Sequence, residues 1–127
     1  MKFLRHHRRG SAALVFGALA ITASAWAADP PKIDLSGGDA AQGKELAMDR
    51  SKGNCIACHM IPGGESPGSI GPALIAMQAR YPSKEALAAQ IWDATVKNPD
   101  ADMPPFGKHE ILNHEEFVNV VEYIWSL

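Results

Sequence analysis

The chain is 127 residues long, with 12 Lys and Arg against 14 Asp and Glu, a formal net charge of −2 with histidine neutral, and 46% hydrophobic residues. That length makes one domain with a modest core of its own, because small domains bury a smaller share of their surface and often lean on a cofactor or crosslink. Without its basic N-terminal stretch the chain stands at net −6, acidic enough to disfavour nucleic acid or an anionic membrane as partner, and the sequence holds no internal repeat.

The N-terminus reads as an export signal. Lys2, Arg5, Arg8 and Arg9 precede an apolar run over residues 12–23 that is too short to span a bilayer, and Ala25-Trp26-Ala27 follows as a small-x-small cleavage site. Residues 1–27 are therefore expected to be a cleaved secretory signal peptide rather than a membrane anchor, with no stable membrane insertion. Cleavage after Ala27 takes four of the twelve basic residues and none of the fourteen acidic ones, leaving eight against fourteen, a net −6. Residues 28–38, with Pro30, Pro31, Gly37 and Gly38, form a loose lead-in, and residues 39–127 the domain proper.

The domain reads as all-α. Asp39 is the expected N-cap of a helix reaching about residue 49, with Gly43, Leu46 and Ala47 on one face, and Lys52-Gly53 breaks it. Then comes Cys55-Ile56-Ala57-Cys58-His59, which spends both cysteines of the chain. On one helical turn, positions i, i+3 and i+4 share a face. Cys55 and Cys58 can thus form thioethers to the two vinyl groups of a c-type haem while His59 reaches the iron.

A structural zinc site, a redox dithiol and a plain disulfide are the alternatives. Structural zinc takes about four protein ligands, and no second Cys/His pair stands at the right spacing, since His109 and His114 are isolated and distant. A thioredoxin-like dithiol wants a βαβ setting, which the Gly- and Pro-rich stretch that follows does not offer. The motif implies one covalently attached haem c, and its iron, as cofactor.

Residues 61–72 hold Pro62, Gly63, Gly64, Pro67, Gly68, Gly71 and Pro72, a wrapped loop rather than a regular element. A short helix is expected over residues 74–80. Ser83 caps a longer one on which Leu87, Ile91 and Ala94 recur at i, i+4 and i+7, ending at Asn98-Pro99. Asn113 with Glu116 makes a capping pair for the last helix, where Phe117, Val120, Val121 and Ile124 fall on one stripe.

Met103 is the candidate sixth ligand of the iron. It stands in an inter-helix loop whose prolines, Pro104 and Pro105, hold an extended backbone able to present a weak thioether ligand. Met60 adjoins His59, Met48 and Met77 lie on helical patterns that favour the core, and His109 and His114 remain alternatives. An axial Met raises the potential relative to bis-His and closes the iron to substrates, which favours electron transfer. A proximal His normally donates its other ring N–H to a carbonyl, for which Pro72 is the candidate. Arg80 either pairs with a haem propionate or is a solvated helix-end residue. Trp92, Phe106, Tyr123 and Trp125 are core residues that could also line a haem pocket.

The segments Gly53-Asn54-Cys55-Ile56-Ala57-Cys58-His59, Ile61-Pro62-Gly63-Gly64, Pro67-Gly68, Ile70-Gly71-Pro72-Ala73-Leu74 and Met103-Pro104-Pro105-Phe106-Gly107, with Ile111-Leu112, resemble the SoxX family over almost the whole mature chain. These are the small monohaem cytochrome subunits of SoxAX complexes in bacterial thiosulfate oxidation. The resemblance implies a class I cytochrome c fold, with helices wrapped around one haem and Gly43 of the first helix packed near Tyr123 of the last. It also implies His59 and Met103 as axial ligands and a periplasmic heterodimer with a SoxA-like haem subunit. In that family the complex, an L-cysteine S-thiosulfotransferase, couples thiosulfate to a cysteine of the carrier SoxYZ, and the small subunit takes the electrons to a downstream cytochrome. No residue of the small subunit is expected to be catalytic. The partner is expected to cover the side of Pro104, Pro105 and Phe106.

A free-standing periplasmic class I shuttle is the competing reading. A haem enzyme such as a peroxidase needs an open sixth position, which a ligating Met103 would close.

Overall fold

A computed structural model describes residues 31–127; the expected signal peptide, residues 1–27, lies outside the described residues. Four α-helices, α1 (Ala40–Met48), α2 (Met77–Arg80), α3 (Lys84–Trp92) and α4 (His114–Ser126), are joined by loops carrying two 3₁₀ turns, Cys55–Ala57 and Ala94–Val96. There is no strand among the described residues.

Local chemistry sets most of the helix ends. Asp39 adopts extended backbone and its side chain accepts from the N–H groups of Ala41 and Gln42, two donors that the first turn of α1 leaves free. Ser83 accepts from Ala86 N–H at the start of α3. In α4 the capping box is complete: Asn113 Oδ1 accepts from Glu116 N–H (3.0 Å) and Glu116 Oε2 accepts from Asn113 N–H (2.9 Å). Glu116 also pairs with Lys52 (2.7 Å), fastening the segment after α1 to the head of α4.

Two boundaries differ from the sequence expectation. The helix expected over residues 74–80 starts only at Met77, because Ala76 sits in the left-handed region (φ 50°) and spends its N–H on the Leu127 carbonyl. The helix capped by Ser83 stops at Trp92 rather than Asn98-Pro99. At Asp93 the backbone turns extended, and its side chain captures the N–H of Thr95 to open the 3₁₀ turn Ala94–Val96. A short acceptor that bonds the backbone ahead of it competes with helix continuation.

α4 is the hub, packing against α1, α2 and α3. Its stripe of Phe117, Val120, Val121 and Ile124 is buried together with Ala47 of α1 and Leu87 and Ile91 of α3. The crossing of α1 and α4 is close: a Cβ on Gly43 would stand 1.9 Å from the Asn119 carbonyl oxygen and 2.9 Å from Tyr123 Cβ, so the approach to Tyr123 implied by the resemblance is present. Asn119 is nearly fully buried and satisfied across this seam, accepting from Asp39 N–H (2.8 Å) and donating to Gln42 (3.4 Å).

Gly43→Ala is accordingly expected to force the two helices apart and to cost about 3 kcal/mol, the upper part of the usual range for overpacking. Denaturant unfolding of the haem-loaded protein, followed by its helix signal, measures this. An unchanged midpoint would show that the seam can open without penalty.

Candidate functional site

One cavity of about 610 Å³ brings together residues that are far apart in sequence. Cys55, Cys58, His59, Gly71 and Pro72 line it, as do Met103, Pro104 and Phe106, and apolar walls come from Leu87, Ile91, Val120 and Ile124. The volume falls within the roughly 300–1,000 Å³ of cofactor and small-molecule sites, and the mainly apolar walls suit a flat hydrophobic macrocycle.

The C-x-x-C-H turn hangs from the end of α1. Gly53 N–H donates to Leu46 O (3.2 Å) and Asn54 N–H to Asp49 O (2.9 Å), and Asn54 takes a left-handed conformation (φ 47°) that redirects the chain. The 3₁₀ turn Cys55–Ala57 then closes with Cys58 N–H and His59 N–H both donating to Cys55 O (3.2 and 2.9 Å). The motif thus forms a tight single turn rather than a helix of any length. Burial pushes the Cys55 thiol up to about 11, so in the folded apoprotein it stays protonated and a poor nucleophile.

The loop over residues 61–72 wraps back onto that turn, with Gly68 N–H donating to Ile56 O and Gly71 N–H to Cys58 O (both 2.8 Å). His59 Nδ1 lies 2.6 Å from the Pro72 carbonyl. A carbonyl only accepts, so Nδ1 carries the proton and Nε2 keeps its lone pair free for a metal. A Cβ on Gly71 would stand 2.3 Å from His59 Cε1, so the ring lies directly on the backbone of this glycine. Spacing does not announce that contact in the sequence.

Met103 is half-buried at the cavity wall, whereas His109 and His114, the alternative sixth ligands, are both exposed and line no part of it. Met60 is exposed and Met48 lies off the cavity. Met77 is in the core as expected, but it also reaches the cavity, and its Sδ accepts from Arg80 Nη1 (3.5 Å). Arg80, the exposed last residue of α2, is at the cavity too and donates to the Ala73 carbonyl (2.6 Å).

Of the four aromatics considered from sequence, Phe106 lines the cavity, while Trp92, Tyr123 and Trp125 pack with the core. The expectation that Phe106 faces a partner is corrected: it is only 8% exposed. Leu112 N–H donates to Phe106 O (3.2 Å), and the Phe106 ring joins the buried core cluster with Leu112. Pro104 stays exposed and Pro105 half-exposed.

No helix among the described residues is long and apolar enough to cross a membrane. The same residues hold no cluster of three or more His, Cys, Asp or Glu side chains fit for a bare metal ion. His59 with a free Nε2, two thiols on the same turn and an apolar cavity beside them fit a covalent porphyrin instead.

Comparison with known proteins agrees. Residues 40–127 match the cytochrome c family model, and the chain belongs to the cytochrome c family, with the helical class I fold and the covalently bound haem c that membership brings. Its fold is similar to that of a chain in the crystal structure of SoxXA from P. pantotrophus, with a TM-score of 0.63 and 25% identity, covering 70% of this chain and 81% of that one. No curated protein sequence matches the chain significantly.

The closeness of Gly71 to the imidazole leads to a testable outcome. Gly71→Ala is expected to tilt the His59 ring off the Pro72 carbonyl, shifting the g values of the ferric low-spin EPR spectrum and destabilising the holoprotein by about 1–3 kcal/mol. Unchanged g values would mean that the ring is held without this contact.

Proposed function

We propose that this cytochrome c is the electron-accepting subunit of a SoxAX-type complex, exported to the periplasm after loss of residues 1–27, with residues 39–127 as its haem domain. The observation that carries the proposal is one cavity uniting the C-x-x-C-H turn with the Met103 loop, on a fold that is similar to a chain of SoxXA over 70% of its own length and 81% of that chain's. In this reading Cys55 and Cys58 hold the porphyrin, His59 is the proximal ligand, Pro72 orients it, and Met103 takes the sixth position. The haem supplies storage of one electron at a time, at a potential that an axial thioether raises.

What the chain lacks defines its role. Coupling a carrier thiolate to thiosulfate forms an S–S bond and releases two electrons, R–S⁻ plus S₂O₃²⁻ giving R–S–S₂O₃⁻, whereas one haem iron accepts one. Both cysteines of this chain are spent on thioethers, which leaves no thiolate to act as nucleophile or to carry a sulfane sulfur. The bond-forming group therefore sits on a SoxA-like haem subunit, with a SoxYZ-like carrier as substrate, and this chain is the exit toward a downstream cytochrome. Apolar side chains left exposed at the cavity, Ile70 at 74% and Ile111 at 37%, offer the partner a contact area beside the site that would hold the haem.

Two measurements test this reading. The ferric holoprotein should show a thioether-to-iron charge-transfer band at the red edge of the visible spectrum that Met103→Ala removes; a band that survives the substitution overturns the ligand assignment. Isolated holoprotein mixed with thiosulfate and a thiol-bearing carrier should form no thiosulfonate adduct, and adding the SoxA-like subunit should restore adduct formation together with haem reduction. Turnover by the isolated chain would return it to the class of catalysts, and failure of any SoxA-like subunit to bind it would favour a free-standing shuttle.

A further inference from the structure

The loop that presents Met103 is fastened unequally at its two ends. Upstream, a single backbone bond, Asn98 N–H to Ala94 O (3.1 Å), ties the loop to the 3₁₀ turn after α3, and the other bonds, Ala101 N–H to Asn98 O (3.0 Å) and Asp100 N–H to Asn98 Oδ1 (3.2 Å), are internal to a turn whose residues 98–100 are all exposed. Downstream, three contacts converge on two consecutive residues at the end of α3. Lys108 N–H donates to the Trp92 carbonyl (3.3 Å), Gly107 lies so close to the indole that a Cβ would stand 2.0 Å from Trp92 Cε3, and Lys108 Nζ donates to Asp93 Oδ2 (2.6 Å).

Both anchors are themselves fixed. Trp92 makes an edge-to-face contact with Phe117 of α4, the ring centroids 5.6 Å apart at 82°. Asp93 is 4% exposed, its other oxygen accepts from the N–H and hydroxyl of Thr95, and Lys108 and Thr95 together hold its carboxyl below the usual carboxylate range. A nearly buried carboxylate with one cationic partner makes that partner hard to remove, because opening the loop strands the charge.

We propose that Asp93 and Lys108, with the Trp92–Gly107 contact, form a clasp that positions Met103 and sets how often the loop withdraws the Met103 thioether in favour of an external ligand. The inference rests on Met103 being the sixth ligand. Asp93 and Lys108 are positioning residues that act through the loop, not ligands: neither is within four positions of Met103, and Asp93 lines no part of the cavity.

The test is imidazole binding to the ferric holoprotein, in which the added base displaces the thioether with no change of oxidation state. Its apparent affinity is the intrinsic affinity scaled by the fraction of molecules with the loop open. Asp93→Asn keeps the shape and the Thr95 cap but removes the charge, and is expected to raise apparent imidazole affinity about tenfold, as expected for loss of a charge-assisted bond. Lys108→Gln should do the same, the double variant should add little to either single one, and Lys108→Arg should restore wild-type affinity.

The same Asp93→Asn substitution made in a Met103→Ala background should leave imidazole affinity unchanged, since no thioether remains to be displaced. A merely structural role for the ion pair would lower the unfolding midpoint and leave imidazole affinity alone, and that result overturns the proposal. Lys108→Gln, at a side chain 55% exposed, provides the same readout should Asp93→Asn fail to fold. If instead wild type and Met103→Ala bind imidazole equally and neither shows the thioether band, it is the Met103 ligation that fails.

Discussion

The absence of a side chain at Gly43 lets α1 and α4 cross at backbone contact, with the Asn119 carbonyl in the space that a Cβ would fill, and the rest of the molecule is arranged around that seam. The crossing fixes where α1 ends, and from that end hangs the turn bearing Cys55, Cys58 and His59. It also fixes the direction of α4, whose Val120 and Ile124 wall the same cavity. Buried Asn119 gives the seam a register as well as a distance: it accepts from the N-cap residue of α1, so sliding one helix along the other would strand a polar side chain.

A domain this small has little apolar mass to spare, and several of its best core residues face a cavity instead of one another. Leu87, Ile91, Val120 and Ile124 are buried in the sense of being shielded from bulk water, yet they line the space about 610 Å³ in volume. Filling it with a covalently tethered porphyrin supplies the missing packing partner. A covalently tethered porphyrin stays with the chain when it unfolds, so its contribution to stability is the burial of its apolar faces against these walls in the native state.

Helices whose ends are set by their own side chains were legible in the sequence: Asp39, Ser83 and the Asn113–Glu116 pair each announce a start through short-range hydrogen bonds. The far end of α3 was not, because Asp93 looks helix-compatible until its carboxylate is seen to bond Thr95 and Lys108. Phe106 was misjudged for a similar reason. An extended Met-Pro-Pro-Phe stretch defines a backbone shape but not which side faces the core, and here that depends on contacts outside the stretch: the bond from Leu112 N–H to Phe106 O and the packing of Gly107 on Trp92, fifteen positions away. Gly71 and Gly107 carry no local signature either, since each is needed for the ring that rests on it, one an imidazole and the other an indole. The chemistry-bearing residue types were visible in one dimension; their positioning residues come from packing in three.

The two sides of the cavity are built to different standards of rigidity. On the side of His59, the imidazole, the Pro72 carbonyl and Gly71 belong to one continuous loop that returns to the C-x-x-C-H turn within thirteen residues, through three successive hydrogen bonds to its backbone or ring. On the side of Met103, the downstream end of the loop is tied by side-chain and backbone contacts to the end of α3, whereas the upstream end is an exposed turn held to the chain before it by a backbone bond alone, from Asn98 N–H to Ala94 O (3.1 Å). Local opening draws on segments with few buried contacts, so the Met103 loop is the softer wall and the histidine side the harder one. An electron carrier gains from that asymmetry, because a fixed proximal ligand keeps the cofactor's orientation constant while the opposite ligand is where geometry, potential and access to the metal can be tuned. In this chain the tuning falls to an ion pair at the end of α3, outside the cavity it governs.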